Sequence, residues 1–251
     1  MMEMRRLVRG GIRSGRFSDF RLIRASGLLA AALGLLGGCV TSNWGDHPDP
    51  PLTEDKGVVI MFTGLTLVPG VDAVWNSGVS TATQEIRDAG VPAEIYAPQE
   101  WEKALQYVKT LPDARHLPVA IVGYSLGAHA GTELARALKD AGIPVQTLVA
   151  LEPFDAIPVS CNVSYALDVH SDVLTVMTGN FESESGFTGT MEDWTYHLPD
   201  PVFHFTVVAD SNIRALVLQK ILDGAGVRRR PPPAGETACL SNAMPVAATN
   251  K

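Results

Sequence analysis

The sequence lacks several patterns that assign a function directly. It contains no H-E-x-x-H or C-x-x-C pair, no G-x-x-x-x-G-K-[ST] loop and no G-x-G-x-x-G after a predicted strand. No internal repeat is visible, and the apolar run at 25–38 has only fourteen residues, too few for a stable membrane span. Because the metal-binding and nucleotide-binding motifs are missing, we expect no metal and no cofactor.

Basic residues are scarce after position 38. Seven of the 20 Lys and Arg residues lie in 1–38, with only two of the 27 acidic residues, so the remainder has a net charge of −12. Because such a chain repels phosphate backbones, we expect no nucleic-acid partner. The hydrophobic fraction of 46% allows a sizeable core, which excludes wholesale disorder and favours one globular domain.

The first 38 residues have the order of a secretory signal, with arginines followed by an uncharged apolar run. The run ends at Leu36-Gly37-Gly38-Cys39, which resembles the bacterial lipobox. The resemblance implies a lipoprotein signal peptide at 1–38 and a membrane anchor through lipidated Cys39. Val40 after the cysteine implies the outer membrane, facing the periplasm. An ordinary secretory signal and a short uncleaved anchor are the alternatives.

Two regions have the composition of flexible chain. Residues 39–57 are rich in Pro, Asp and Gly and are interpreted as a flexible tether, and 223–251 contain three consecutive prolines and are interpreted as a Pro-rich C-terminal tail. With Cys39 lipidated, Cys161 and Cys239 remain. They either form a disulfide in an oxidising compartment or stay as free thiols.

Residues 58–222 alternate apolar strands with amphipathic helices. Strands are predicted at 58–64, 93–98, 118–125, 145–153 and 172–179, and helices at 80–90, 101–111, 126–142 and 211–222. This alternation predicts an α/β domain with a mostly parallel central sheet and helices on both faces. Such sheets carry their chemistry at the carboxyl ends of the strands.

A G-x-S-x-G motif, Gly123-Tyr124-Ser125-Leu126-Gly127, joins a predicted strand to a predicted helix. In that setting the turn is strained and presents the serine hydroxyl at the positive end of the helix. A Cβ at either glycine would clash with neighbouring backbone. The motif therefore predicts Ser125 as a nucleophile, and the alternative is an ordinary strand-to-helix turn.

The longer stretch 123–130, GYSLGAHA, resembles the elbow of the neutral lipases in the α/β-hydrolase superfamily. The resemblance implies a single-domain α/β-hydrolase-like fold in which nucleophile, acid and histidine follow in that order. It places the base at His204, ahead of the last helix, with His197 in reserve. His170 is set aside because it precedes a predicted strand, at the wrong edge of the sheet.

The neutral lipases carry their triad acid in a Leu-Asp-Pro sequence, where this chain has Leu151-Glu152-Pro153. The resemblance therefore implies Glu152 as the acid, with Asp155 and then Glu182 as alternatives. The backbone amides of Leu65, after the first strand, and Leu126, after the nucleophile, are the expected oxyanion hole.

Asp168, His170 and Asp172 alternate and could chelate an ion, but we interpret them as a strand-entry loop. The leading hypothesis is a monomeric serine hydrolase that cleaves a carboxylic ester or thioester of a small-molecule acyl or lipid-like substrate. The alternative is a catalytically inactive hydrolase-fold lipoprotein that acts as an envelope binding module. Residues 180–201 are a candidate cover for the site.

Overall fold

The computed structural model describes residues 56–65, 76–154, 158–171, 180–196, 207–224 and 239. All of them belong to the unit that begins at Val40. The strands are β1 (Val58–Phe62), β2 (Ala93–Tyr96), β3 (Val119–Tyr124), β4 (Val145–Leu151), β5 (Pro158–Val159), β6 (Val163–Ser171), β7 (Glu182–Ser183) and β8 (Thr190–Tyr196). The helices are α1 (Ser77–Asp88), α2 (Trp101–Thr110), α3 (Leu126–Asp140) and α4 (Ser211–Gln219), with 3-10 turns at Pro98–Glu100 and Val207–Ala209 and a π-helical turn at Lys220–Gly224.

Six strands form one parallel sheet in the order β2-β1-β3-β4-β6-β8. The strands β5 and β7 pair with each other in a separate small sheet. One face of the large sheet packs against α1 and α4, and the other packs against α2 and α3. The predicted mostly parallel sheet with helices on both faces is therefore confirmed.

The central strands are apolar because helices cover the sheet on both faces. Along β3, Ile121 packs in the α2/α3 layer and Val122 in the α1/α4 layer, since successive side chains point to opposite faces. A strand covered on both sides needs apolar residues at every position, which is why β1 and β3 are buried throughout.

The late strands differ from the prediction. The strand after β4 in the large sheet is β6, whereas the sequence predicted it at 172–179, a range outside the described residues. The interpretation of 180–201 as a cover is wrong for 190–196, because that segment is β8, the edge strand of the sheet. Asp168 and His170 interrupt β6, and β8 has polar residues on both faces, so neither strand has the continuous apolar run that marked β1, β3 and β4.

A disulfide joins Cys161, just before β6, to Cys239. The two Cα atoms are 6.2 Å apart, a separation that a disulfide spans readily. Among the described residues, no helix is both long and apolar enough to cross a bilayer. The predicted signal peptide, Cys39 and most of the predicted tether and tail lie outside the described residues.

Candidate active site

Ser125 occupies a strained turn between the last residue of β3 and the first residue of α3. Its backbone angles are φ 54° and ψ −120°, a combination that non-glycine residues rarely adopt. The Ser125 N–H donates to the carbonyl oxygen of Leu151 at 2.9 Å, which holds the turn against β4. The turn thus sits at the carboxyl edge of the sheet and at the N-terminus of a 15-residue helix.

The two motif glycines allow this turn to pack. A Cβ on Gly123 would lie 2.2 Å from the carbonyl oxygen of Gly127, and a Cβ on Gly127 would lie 2.3 Å from that of Thr63. These obstacles are backbone atoms, which cannot move aside as a side chain can. The clash anticipated from the sequence is therefore present at both glycines.

The loop after β1 lies beside this turn, because β1 and β3 are paired with Phe62 opposite Gly123. The Gly64 N–H donates to the Asn76 side-chain oxygen at 2.8 Å, and Asn76 is fully buried immediately before α1. Asn76 therefore holds the loop that carries Leu65, one of the two predicted oxyanion donors. Asn76 was not predicted as a site residue, because its only local signal in the sequence is its position ahead of a helix.

Glu152 directly follows β4, the strand beside β3. It is fully buried with a positive φ of 50°, and its Oε1 accepts a 2.6 Å hydrogen bond from the Tyr196 hydroxyl. Burial, with the nearby Glu152 charge in second place, raises the pKa of Tyr124 well above its usual value. A fully buried carboxylate at the carboxyl edge is unlike an ordinary exposed carboxylate at a strand end.

The predicted base, its reserve and one alternative acid lie outside the described residues. These are His204, His197 and Asp155. Both histidines fall between Tyr196, the last residue of β8, and Val207, which begins the 3-10 turn before α4. The carboxyl end of β8 is at the same edge of the sheet as Ser125, because all six strands are parallel.

The position of His170 differs from the one predicted from the sequence. It lies near the carboxyl end of β6, not at the amino end of a later strand, and it is buried. Its Nε2 is 3.1 Å from the Thr195 hydroxyl, and its Nδ1 is 3.8 Å from Asp168 Oδ1. The interpretation of Asp168 and His170 as a strand-entry loop is therefore wrong, and Asp172 lies outside the described residues.

Asp168 is buried beside His170. Its Oδ2 accepts a 3.0 Å hydrogen bond from the Phe181 N–H. Burial raises the pKa of Asp168 to about 6, although the Phe181 hydrogen bond and the neighbouring His170 oppose the rise. Glu182, one of the alternative acids, is exposed in β7, and the strand predicted ahead of it, at 172–179, lies outside the described residues.

Comparisons with known proteins do not assign this chain to a family. No protein-family model matches the chain, and neither does any curated protein. A crystal structure from Agrobacterium tumefaciens, described as a protein of unknown function and a candidate alpha/beta hydrolase, is similar at 14% sequence identity. The match covers 74% of this chain and 93% of that one with a TM-score of 0.46, which is too low to carry an argument.

The geometry of the sheet and of the Ser125 turn defines the fold of this chain. Its parallel sheet is covered on both faces, and a strained serine joins β3, in the interior of the sheet, to the helix that follows. That arrangement is the one in which an α/β-hydrolase presents its nucleophile. The chain therefore has an α/β-hydrolase-like fold.

Proposed function

We propose that this protein is a serine hydrolase that cleaves a carboxylic ester or thioester through an acyl-enzyme on Ser125. The observation that carries the proposal is the backbone of Ser125, held at φ 54° between the end of β3 and the start of α3. Strain of this kind persists only when the surrounding packing enforces it, and it concentrates at functional sites. Here Gly123 and Gly127 permit the close backbone packing that surrounds the turn.

In the proposed reaction the Ser125 hydroxyl attacks the acyl carbonyl carbon as His204 takes its proton. The carbonyl oxygen gains a negative charge, which the amides of Leu65 and Leu126 stabilise. The imidazolium then gives its proton to the leaving alcohol or thiol. Water, deprotonated by the same imidazole, attacks the acyl carbon, and the acid leaves as the imidazolium returns its proton to the Ser125 oxygen. Glu152 stabilises the imidazolium in both steps.

Two exposed apolar side chains support the proposal that the substrate carries an acyl chain. Leu65, after β1, is 40% exposed, and Phe154, after β4, is 48% exposed. Since β1 and β4 are the two neighbours of β3, these side chains flank the strand that ends just before Ser125. Apolar surface on both sides of the nucleophile suits a hydrocarbon acyl chain or lipid-like substrate.

A fluorophosphonate probe tests this proposal, since it reacts with activated serine hydroxyls. We expect the wild type to be labelled, Ser125→Ala to be unlabelled, and Ser183→Ala, which changes an exposed serine in β7, to be labelled normally. Hydrolysis of p-nitrophenyl esters of graded chain length then gives the preferred acyl length. A folded wild type that takes no label and hydrolyses no ester would support the inactive envelope binding module instead.

The proposed location is the cell envelope, with the protein anchored to the outer membrane through a lipid on Cys39. The lipobox-like ending of the apolar run at Leu36-Gly37-Gly38-Cys39 supports it. An anchored hydrolase with an apolar site would meet its substrates at or near the membrane surface. The protein is proposed to act as a monomer.

A further inference from the structure

Two neighbouring strands bring a histidine and two aspartates together on one face of the sheet. In the register of β6 and β8, Asp168 lies opposite Asp193, and His170 lies opposite Thr195. The intervening Leu167 and Val169 pack in the α1/α4 layer, so Asp168 and His170 point to the other face. One ligand atom from each of Asp168, His170 and Asp193 lies within 4.8 Å of the other two.

Two of these side chains are buried with polar atoms that lack a hydrogen bond. The side chain of Asp168 is 2% exposed and that of His170 is 8% exposed. Asp168 Oδ1 and His170 Nδ1 have no hydrogen-bond partner and face each other across 3.8 Å, too far for a hydrogen bond. Because leaving buried polar atoms unsatisfied is costly, the arrangement points to a missing partner between them.

The charges of Asp168, His170 and Asp193 favour a cation as the missing partner. Two carboxylates converge on one imidazole, and no Lys or Arg in the described part of the chain forms an ion pair with either carboxylate. Asp193, at the edge of the sheet, is 54% exposed, which leaves one side of the group open to solvent. An ion can therefore enter there and complete its coordination with water.

The distances suit a small transition-metal ion. Two ligands of a tetrahedral zinc ion, each about 2.1 Å from it, lie roughly 3.4 Å apart. The Nδ1 and Oδ1 atoms at 3.8 Å would each need to move by only a few tenths of an ångström. The Phe181 N–H already holds the second oxygen of Asp168, and the Thr195 hydroxyl already contacts Nε2 of His170. Contacts of this kind orient the ligands of metal sites.

We propose that Asp168, His170 and Asp193 bind one divalent transition-metal ion, for which zinc is the natural probe. Imidazole with carboxylates favours such ions over calcium or magnesium, which prefer oxygen ligands alone. The ion would join β6 to β8, the edge strand of the sheet, and stabilise that pairing. The proposal does not depend on the proposed hydrolytic function.

Zinc binding to the full-length protein tests the proposal. After removal of metal with a chelator and dialysis, isothermal titration with zinc chloride is expected to give one high-affinity site, and zinc should raise the midpoint of thermal unfolding. We expect Asp193→Asn to weaken zinc binding at least about tenfold. This substitution is chosen because Asp193 is half exposed, so the variant should fold.

His116→Ala is the matched control. His116 forms an exposed pair with Asp113 at 2.6 Å, so it is the kind of surface histidine that binds zinc weakly. We expect this variant to bind like the wild type, and Ser125→Ala to do so too. Absence of a high-affinity zinc site, a preference for calcium, or equal affinities in wild type and Asp193→Asn would each overturn the proposal.

Discussion

The Tyr196 hydroxyl donates a 2.6 Å hydrogen bond to the buried carboxylate of Glu152. The two residues are 44 positions apart and lie at the carboxyl ends of different strands, β8 and β4. A carboxylate held by a buried hydroxyl has a fixed position, which an acid that orients an imidazole requires. This contact links the candidate triad acid to the edge strand of the sheet.

Removing that hydroxyl should impair turnover. We expect Tyr196→Phe to lower kcat about tenfold with little change in KM, because a hydrogen bond to a charged group is worth about 1.5–3 kcal/mol and acts here on Glu152 rather than on substrate. Tyr165→Phe is the matched control, since Tyr165 donates to Glu192 at the protein surface. Steady-state ester hydrolysis measures both variants. An unchanged kcat in Tyr196→Phe would show that this contact does not position the acid.

The identity of the acid can be tested with an isosteric variant. We expect Glu152→Gln to lower kcat about 10³- to 10⁴-fold, because a neutral amide no longer stabilises the imidazolium. Glu182→Gln changes an exposed glutamate in β7 and should have no effect. If Glu152→Gln stays active while Asp155→Asn does not, the acid is Asp155.

The base is predicted from the order of the triad in the chain. We expect His204→Ala to abolish ester turnover, because no imidazole would then accept the Ser125 proton, while circular dichroism shows an intact fold. His197→Ala is the comparison and should retain activity. The opposite pattern would assign the base to His197.

The motif glycines should be intolerant of any side chain. We expect Gly127→Ala to lower the free energy of unfolding by about 1–3 kcal/mol or more, because its Cβ would meet the backbone oxygens of Thr63 and Phe62 at 2.3 and 2.7 Å. Gly131→Ala, in the same helix, should cost less, since the nearest atom is a side-chain carbon of Ile121 at 3.1 Å. Urea unfolding compares the two. Equal costs would contradict the packing argument.

The proposed anchor depends on one thiol. We expect Cys39→Ser to remove labelling by radioactive palmitate and to shift the protein out of the detergent-extracted membrane fraction, because serine cannot form the lipid thioether. Cys161→Ser should leave palmitate labelling unchanged, since Cys161 is joined to Cys239 by a disulfide. Membrane fractionation with palmitate labelling measures both variants. Normal labelling of Cys39→Ser would disprove lipidation at that residue.

Local signals predicted most of the framework. The apolar runs located β1, β3 and β4 to within two residues at each end. A strand that is buried on both faces is apolar at nearly every position, so it is easily recognised in the sequence. The last helix shows the limit of such signals. Its cap is Asp210, whose side chain accepts from the N–H groups of Asn212 and Ile213, although the next residue, Ser211, is also of a type that caps helices. Both residue types cap helices, so the sequence could not choose between them.

The parallel sheet and the strained turn at Ser125 could be predicted from the amino-acid sequence, since both follow from residues that are neighbours in the chain. The contact of Glu152 with Tyr196 and the grouping of Asp168 and His170 with Asp193 could not, because they arise only when the strands pair. These groupings depend on which strands pair and in which register. Pairing is set by packing across the whole sheet, so polar residues on β6 and β8 gave no local sign of their partners.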